Sequence, residues 1–326
     1  MPSSSAPKSR SRVRVVQIGC GAWGRNILRE LSAHPDVHVA AVVDPIDSAR
    51  DAARRLAPKA LVCSTFDAVC ESAIDAAVIA SPGPLHAAHA LEAVARGWHL
   101  FVEKPLATSS ADAALLAGRA RERGAVGMVG HLMHFHPAAK ALIDVVRTRR
   151  LGRPICVRAE RRALAGSRDP DGSVLWSLAP HDVSLLLAVD DSPACVVRAE
   201  VLRNLRDGVP VEAAMQAETR DGVYARIVVS RTRAAKYRNF EVTCESGTVT
   251  FEETALGPKL YVTTDPATGA RLEPLAYEAT RTPLAAELDA FIRAILHGDG
   301  VVADFEQGLR VVRLIEDAER LAATTL

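Results

Sequence analysis

The stretch VVQIGCGAWGRNILREL, Val15 to Leu31, decides how the rest of the chain is read. A short β-rich apolar run ends at Ile18, three glycines follow as G-x-G-x-x-G (Gly19, Gly21, Gly24), and Ile27, Leu28 and Leu31 then recur at helical spacing. The glycine pattern alone is a weak signal, but between a strand and a helix it has a mechanism. Gly19 permits the tight turn, Gly21 lets backbone approach a pyrophosphate, and Gly24 lets helix and strand pack closely. The N-terminus of the following helix offers unpaired N–H groups and a favourable dipole to phosphates. The stretch predicts a dinucleotide site over Gly19, Gly21, Ala22, Trp23 and Gly24.

Near-continuously apolar strands alternate with helical patterns up to about residue 130: VHVAAVVD, IDAAVIASP, WHLFVEKP and AVGMVGH are each followed by an amphipathic stretch. That alternation predicts six parallel strands covered on both faces. After Gly152 the segments lengthen and alternate with period two, as in PICVRAERRAL and GVYARIVVSRT, with turns at Asp221-Gly222 and Ser246-Gly247. A mostly antiparallel sheet with one solvated face is expected there. One helix, GSVLWSLAPHDVSLLLAV, interrupts it and two helices close the chain. The predicted fold class is α/β: an N-terminal Rossmann doubly wound sheet over 13–130, then a C-terminal α+β domain over 131–326. Residues 1–12, polar and basic and without the apolar region of a signal peptide, read as a disordered tail.

The chain has 326 residues, 48% hydrophobic, long enough for two domains. Its 40 lysines and arginines balance 39 acidic residues, which makes no electrostatic case for nucleic acid or an anionic membrane. No apolar run is long enough to span a bilayer. The six cysteines are scattered without metal-ligand spacing, so reduced thiols in a cytoplasmic protein and no metal are expected.

The second strand ends at Asp44, about 25 residues past Gly19, where an acid that accepts from the ribose hydroxyls belongs. A carboxylate there repels a 2′-phosphate, and Pro45 rather than arginine or serine follows, so NAD is favoured over NADP. Glu103-Lys104-Pro105 follows the apolar run Leu100-Phe101-Val102. Ligands of open α/β sheets lie outside the carboxyl ends of the strands, so Lys104 is directed at the site, with Pro105 fixing the chain beside it.

These motifs resemble the glucose–fructose oxidoreductase, inositol dehydrogenase and rhizopine-catabolism (Gfo/Idh/MocA) family over nearly the whole chain. The resemblance rests on GCGAWGRN, VIASPGPLHAAHALEAVARGWHLFVEKPLATS, GSVLWSLAPHDVSLLL and the closing PLAAELDAFIRAILHGDG with GLRVVRLIEDAER. Ser81-Pro82, His86 and Glu103-Lys104-Pro105 reproduce the family's spacing, which adds Ser81, Pro82, His86, Glu103 and Lys104 to the cofactor site. The family lysine contacts the cofactor ribose and the reacting hydroxyl, often before a cis proline. The resemblance also puts His181 on a helix facing nicotinamide across the cleft; histidine titrates near neutrality and suits proton exchange with a hydroxyl or ketone.

Many relatives carry an aspartate four residues before this histidine and a glycine two before. This chain has Ser177 and Ala179 there. Ser177 can hydrogen-bond substrate but cannot act as a carboxylate base, and Asp182 lies about 100° round the helix from His181. The expected activity is hydride transfer between nicotinamide and a carbinol or keto carbon of a sugar, polyol or nucleotide-linked sugar, the last branch being the nearest. The alternatives are a non-catalytic NAD-binding sensor, which Ser177 favours, and a reductase of a non-sugar carbonyl or imine.

Remaining candidates for the substrate side are His131, His134, Arg162 and Trp176 beside Ser177 and His181. His131, His134 and His136 lack helical metal spacing and an acidic companion. On an alternating strand Arg158 and Arg162 share one face and Arg161 the other. They, with Arg168, read as a solvated strand face, and so do Arg231, Arg233, Lys236 and Arg238. The open sheet face suggests a homo-oligomer, which the family commonly forms.

Overall fold

The computed structural model describes residues 12–69, 74–165, 173–205, 208–264 and 273–324. The predicted tail up to residue 11, Cys70 and Arg168 lie outside the described residues. The first sheet holds six strands, β1 (Val13–Ile18), β2 (Val37–Val43), β3 (Leu61–Cys63), β4 (Ala76–Ile79), β5 (His99–Glu103) and β6 (Gly127–Gly130). Their order is β3-β2-β1-β4-β5-β6 and every pairing is parallel. Buried on both faces, such strands need little alternation: all four residues of β4 are buried, and Leu100, Phe101 and Val102 of β5 are inaccessible. Helices α1 (Gly24–Ala33), α2 (Asp47–Leu56), α3 (His86–Ala95) and α4 (Ser110–Glu122) make the crossovers. The order reverses between β1 and β4, which opens a crevice at the carboxyl ends of those two strands.

After α5 (Pro137–Arg147) comes the second sheet: β7 (Pro154–Leu164), β8 (Ala194–Asn204), β9 (Pro210–Thr219), β10 (Tyr224–Arg233), β11 (Tyr237–Cys244), β12 (Gly247–Glu252), β13 (Leu260–Thr263) and β14 (Glu273–Pro274). Its order is β14-β13-β12-β11-β7-β10-β9-β8. All pairings are antiparallel except β7 with β10, because helix α6 (Val174–Val189) and the β8–β9 hairpin carry the chain back to the same end before β10 begins. The expected alternation holds on β7, where Val157, Ala159 and Arg161 are buried and Arg158 is exposed. Apolar Val157, Ala159, Ile227 and Val229 pack beneath α6, itself buried along almost its whole length.

Two closing helices tie the sheets together. Helix α7 (Pro283–His297) returns to the first sheet: Leu284, Leu288, Phe291 and Ile292 join the core of Val13, Val15, Ile27 and Phe101. The Phe101 and Phe291 rings meet edge-on at 5.8 Å between centroids. Helix α8 (Phe305–Thr324) runs against α4, α6 and β8. Gly308 allows its close approach, since a Cβ there would sit 2.6 Å from Val129 Cγ2.

One residue of α7 breaks the apolar pattern. Glu287 is completely buried, and neither carboxylate oxygen finds a partner among the described residues. Burial, with Glu103 adding repulsion, drives its carboxyl well above the usual carboxylate range, so the proton stays on. The folded chain therefore holds this proton more tightly than the unfolded chain does. Its contribution to stability is complete below the ordinary value of 4.5 and is lost as pH rises towards the raised one. Glu287→Gln keeps the neutral shape without a proton to lose. Its melting temperature should equal the wild type's near about pH 5 and exceed it near about pH 8; parallel curves would contradict the assignment.

Candidate active site

The carboxyl ends of all six strands of the first sheet line one cleft of about 980 Å³. Gly19, Gly21, Ala22, Trp23 and Gly24 follow β1, Asp44 to Ile46 follow β2, and Ser64 to Phe66 follow β3. Ser81 to Gly83, Leu85 and His86 follow β4, Glu103 and Lys104 close β5, and Gly130, Leu132 and Met133 close or follow β6. The opposite wall comes from the second sheet and its helix: Arg161, Ser177, His181, Arg231, Arg238 and Glu253.

Each glycine of the loop has a distinct task. Gly19 has φ +94°, and a Cβ there would lie 2.5 Å from Ala80 O. A Cβ on Gly24 would lie 2.5 Å from Gly19 O. Gly21 differs: its Cβ would meet nothing within 4 Å, so the loop presents bare backbone to the cleft. Gln17, fully buried on β1, donates through Nε2 to Gly19 O and Gly24 O at 2.8 Å each and fastens both ends of the loop. These features fit the dinucleotide that the glycine spacing predicts: an open backbone cradle at a helix N-terminus, with a carboxylate at the next strand end. Asp44 accepts from Cys20 N at 2.7 Å through Oδ2 and from Ile46 N at 2.9 Å through Oδ1. Each oxygen keeps a second acceptor site for a ribose hydroxyl. Arg50 lies outside the cleft lining, bonded to Asp44 O at 2.8 Å and to the Asp47 carboxylate.

Around Lys104 the supports are specific. The Lys104–Pro105 peptide is cis. His86 bridges Ser81 O (2.7 Å) and Pro105 O (2.6 Å), joining the loops that follow β4 and β5. Glu103 accepts from Trp23 Nε1 and from Lys104 N, the latter at 3.1 Å. Gly130 leaves room for that carboxylate, because a Cβ there would stand 3.0 Å from it. Lys104 Nζ reaches across the cleft and donates to Ser177 O at 3.2 Å, the first turn of α6. Ser177 thus meets the lysine with its carbonyl, while its hydroxyl turns back to Val174 O at 3.2 Å.

His181 stands one turn further along α6 and opens into the same cleft. Its Nδ1 has no hydrogen-bond partner among the described residues. Burial first, then the positive charges of Arg161, Lys104 and Arg238, hold this imidazole well below the ordinary 6.5, so the ring is neutral. The neighbouring Asp182 points away from it into the sheet, pairing with Arg161 through both oxygens at 2.9 Å.

Other predicted residues fall elsewhere. His131 and His134 sit below the cleft lining, buried, with ring centroids 6.1 Å apart. Burial drives both below the ordinary value, His134 to about 4. Trp176 is buried and donates to Glu319 Oε2 at 2.7 Å, away from the lining. Arg162 also lies off the lining: it pairs with Glu160 and stacks over Tyr237, 5.3 Å from the ring centroid.

The expectation that the arginine clusters are solvated strand faces needs correction, because Arg161, Arg231 and Arg238 face the cleft. Of the rest, Arg158 and Lys236 are exposed. Gln17, Gly130, Arg161 and Glu253 went unforeseen. Only Arg161 carried a sequence signal, its opposite parity to Arg158 and Arg162.

Comparisons with known proteins point to the same fold and the same class of cofactor. Residues 13–131 match the model of an oxidoreductase family with an NAD-binding Rossmann fold, and 139–250 match the GFO/IDH/MocA C-terminal domain. Among curated proteins, UDP-N-acetylglucosamine 3-dehydrogenase of Acidithiobacillus ferrooxidans is 28% identical over 308 residues, covering 92% of this chain and 94% of the relative. Inositol 2-dehydrogenase of Burkholderia multivorans is 28% identical over 70% of this chain and 69% of its own length. A solved structure of the Acidithiobacillus enzyme superposes with TM-score 0.85 at 26% identity, covering 97% of this chain and 99% of that one. GenD2 from gentamicin A biosynthesis, solved in complex with NAD, gives TM-score 0.83 at 26% identity over 100% and 98% of the two chains.

Replacing Gly21 by valine tests the cradle. Gly21→Val should leave stability within about 0.5 kcal/mol of wild type, since its side chain meets open space. NAD affinity, measured by calorimetry, should fall at least about tenfold. Unchanged affinity would remove the loop from the cofactor site.

Proposed function

The chain belongs to the GFO/IDH/MocA family of oxidoreductases, and from that premise we propose that it transfers hydride between nicotinamide and a secondary carbinol carbon of a nucleotide-linked sugar. The coarse activity, NAD(P)-dependent oxidation or reduction at a sugar-like CH–OH group, is that of its relatives. The observation that carries the finer reading is the convergence of Lys104 and His181 from opposite walls on the cleft that holds the glycine loop. The similarity to a UDP-N-acetylglucosamine 3-dehydrogenase over most of both chains supports the substrate class.

The bound dinucleotide supplies the hydride acceptor when an alcohol is oxidised. His181, neutral in its cationic surroundings, takes the hydroxyl proton as the carbon–hydrogen bond breaks. Lys104, whose Nζ donates to Ser177 O and whose backbone N–H donates to the Glu103 carboxylate, donates to the substrate oxygen and stabilises its developing negative charge. In the reverse direction His181 returns the proton. Ser177 does not need to replace the aspartate of relatives in this scheme, because its carbonyl positions Lys104 and His181 is itself the base.

NAD is preferred to NADP: Asp44 places a carboxylate at the ribose position, and Arg50 is engaged with Asp47 rather than turned into the cleft. The division between dinucleotide and substrate domains lies at 130/131. The partner is a further copy of this chain, joined through the open face of the second sheet, where Arg158 and Arg226 alternate with exposed Leu164 and Tyr224. No helix among the described residues is long and apolar enough to cross a membrane. A cytoplasmic location is supported by the five described cysteines, all free thiols.

Nicotinamide reduction at stoichiometric enzyme, against a panel of polyols, free sugars and UDP- or dTDP-sugars, tests this reading. Wild type should give a signal with nucleotide-linked sugars, and Lys104→Ala should slow it by about 10²–10⁴-fold. Equal rates in the two proteins would remove Lys104 from the chemistry, and a signal confined to polyols would refute the substrate class. The acid limb of kcat/KM for alcohol oxidation should lie well below 6.5, since the proton leaves His181 early. An inflection at or above 6.5 would assign the base elsewhere.

A further inference from the structure

The wall of the cleft opposite the glycine loop carries more positive charge than the proton chemistry uses. Arg161 on β7 and Arg238 on β11 occupy directly opposed positions in an antiparallel pair. Like charges so placed destabilise a sheet. Here Glu253 bridges them, while Asp182 holds Arg161 from the other side. Arg161 is thereby consumed: Nε and Nη2 engage Asp182, and Nη1 engages Glu253. Arg231 on β10 adds a third guanidinium to the same wall, partly desolvated, with burial opposing its charge.

The net effect is visible at His181. The charges that lower its proton affinity most, those of Arg161, Lys104 and Arg238, are cationic. Partly buried guanidinium groups at the rim of a cleft are matched by a planar or tetrahedral oxyanion, bound through paired N–H groups.

We propose that Arg231 and Arg238 form an anion subsite that recognises a negatively charged group of the substrate, a diphosphate linking the sugar to a nucleoside or a carboxylate on the sugar ring. The subsite rests on the dehydrogenase reading above and specifies its substrate as anionic. Arg161 is the positioning residue of the cluster, fixing Glu253 and, through Asp182, helix α6. The anion binds on the second-sheet wall, and the carbinol carbon extends from it towards Lys104 and His181.

Calorimetry on the NAD-loaded protein, in which the cofactor's own diphosphate site is filled, tests this directly. The probes are inorganic pyrophosphate, D-glucuronate and neutral D-glucose; the proteins are wild type, Arg231→Gln, Arg238→Gln and Arg238→Lys. At least one anion should bind wild type at least about tenfold more tightly than glucose. That affinity should fall at least about tenfold in each glutamine variant and recover in Arg238→Lys. Pyrophosphate binding without glucuronate binding assigns the charge to the nucleotide linkage, and the reverse assigns it to the sugar ring. Unchanged NAD affinity in the variants verifies their fold. Equal anion affinity in wild type and both glutamine variants, or no preference over glucose, overturns the subsite. Failure of every sugar to reduce nicotinamide in the same samples would count against the dehydrogenase reading alone, since the anion titrations do not depend on turnover.

Discussion

Helix α6 can serve the cleft only because the buried pair of Arg161 and Asp182 anchors it to the second sheet. Both side chains are almost wholly inaccessible, at 5% and 2% exposure. Two charges taken out of water are expensive unless the geometry is nearly ideal, and here both oxygens meet guanidinium N–H groups at 2.9 Å. Removing either partner would strand the other's charge in the interior at a cost of about 3–5 kcal/mol. Such a pair specifies position more than it adds stability. It sets the rotation of α6, and that rotation turns Asp182 into the sheet and His181, about 100° away, into the cleft.

From that anchor the functional geometry follows. The first turn of α6 offers Ser177 O to Lys104, the next turn carries His181, and the lysine comes from the carboxyl edge of the parallel sheet. A bond between side chain and backbone therefore joins the carboxyl edge of the first sheet to the helix that carries His181. The cationic surroundings that Arg161 helps to create also keep His181 neutral. One ion pair thus acts on both the position and the protonation state of the proposed base.

Much of this was legible in the sequence because it depends on local pattern. The glycine spacing, the apolar parallel strands and the Glu103-Lys104-Pro105 turn each carry their own signature, and the order of alternating strands and helices fixes where the carboxyl ends gather. Arg161, Arg231 and Arg238 were misread because a strand's parity shows which residues share a face but not whether that face meets solvent, a helix or a cleft. Gln17 escaped notice for a related reason: a lone polar residue in an apolar strand gains meaning only when the loop folds back over it. Glu287 looks like an ordinary helix carboxylate until α7 packs on the first sheet. The resemblance to relatives supplied His181, which spacing alone could not have paired with Lys104.

The most direct measurement is a crystal structure of the chain with NAD bound. The account predicts the pyrophosphate over Gly19 to Gly24, the ribose at Asp44, and the nicotinamide ring between Lys104 and His181, with Arg161 still paired to Asp182. A nicotinamide lying away from those two side chains, or a helix α6 turned so that His181 leaves the cleft, would contradict it.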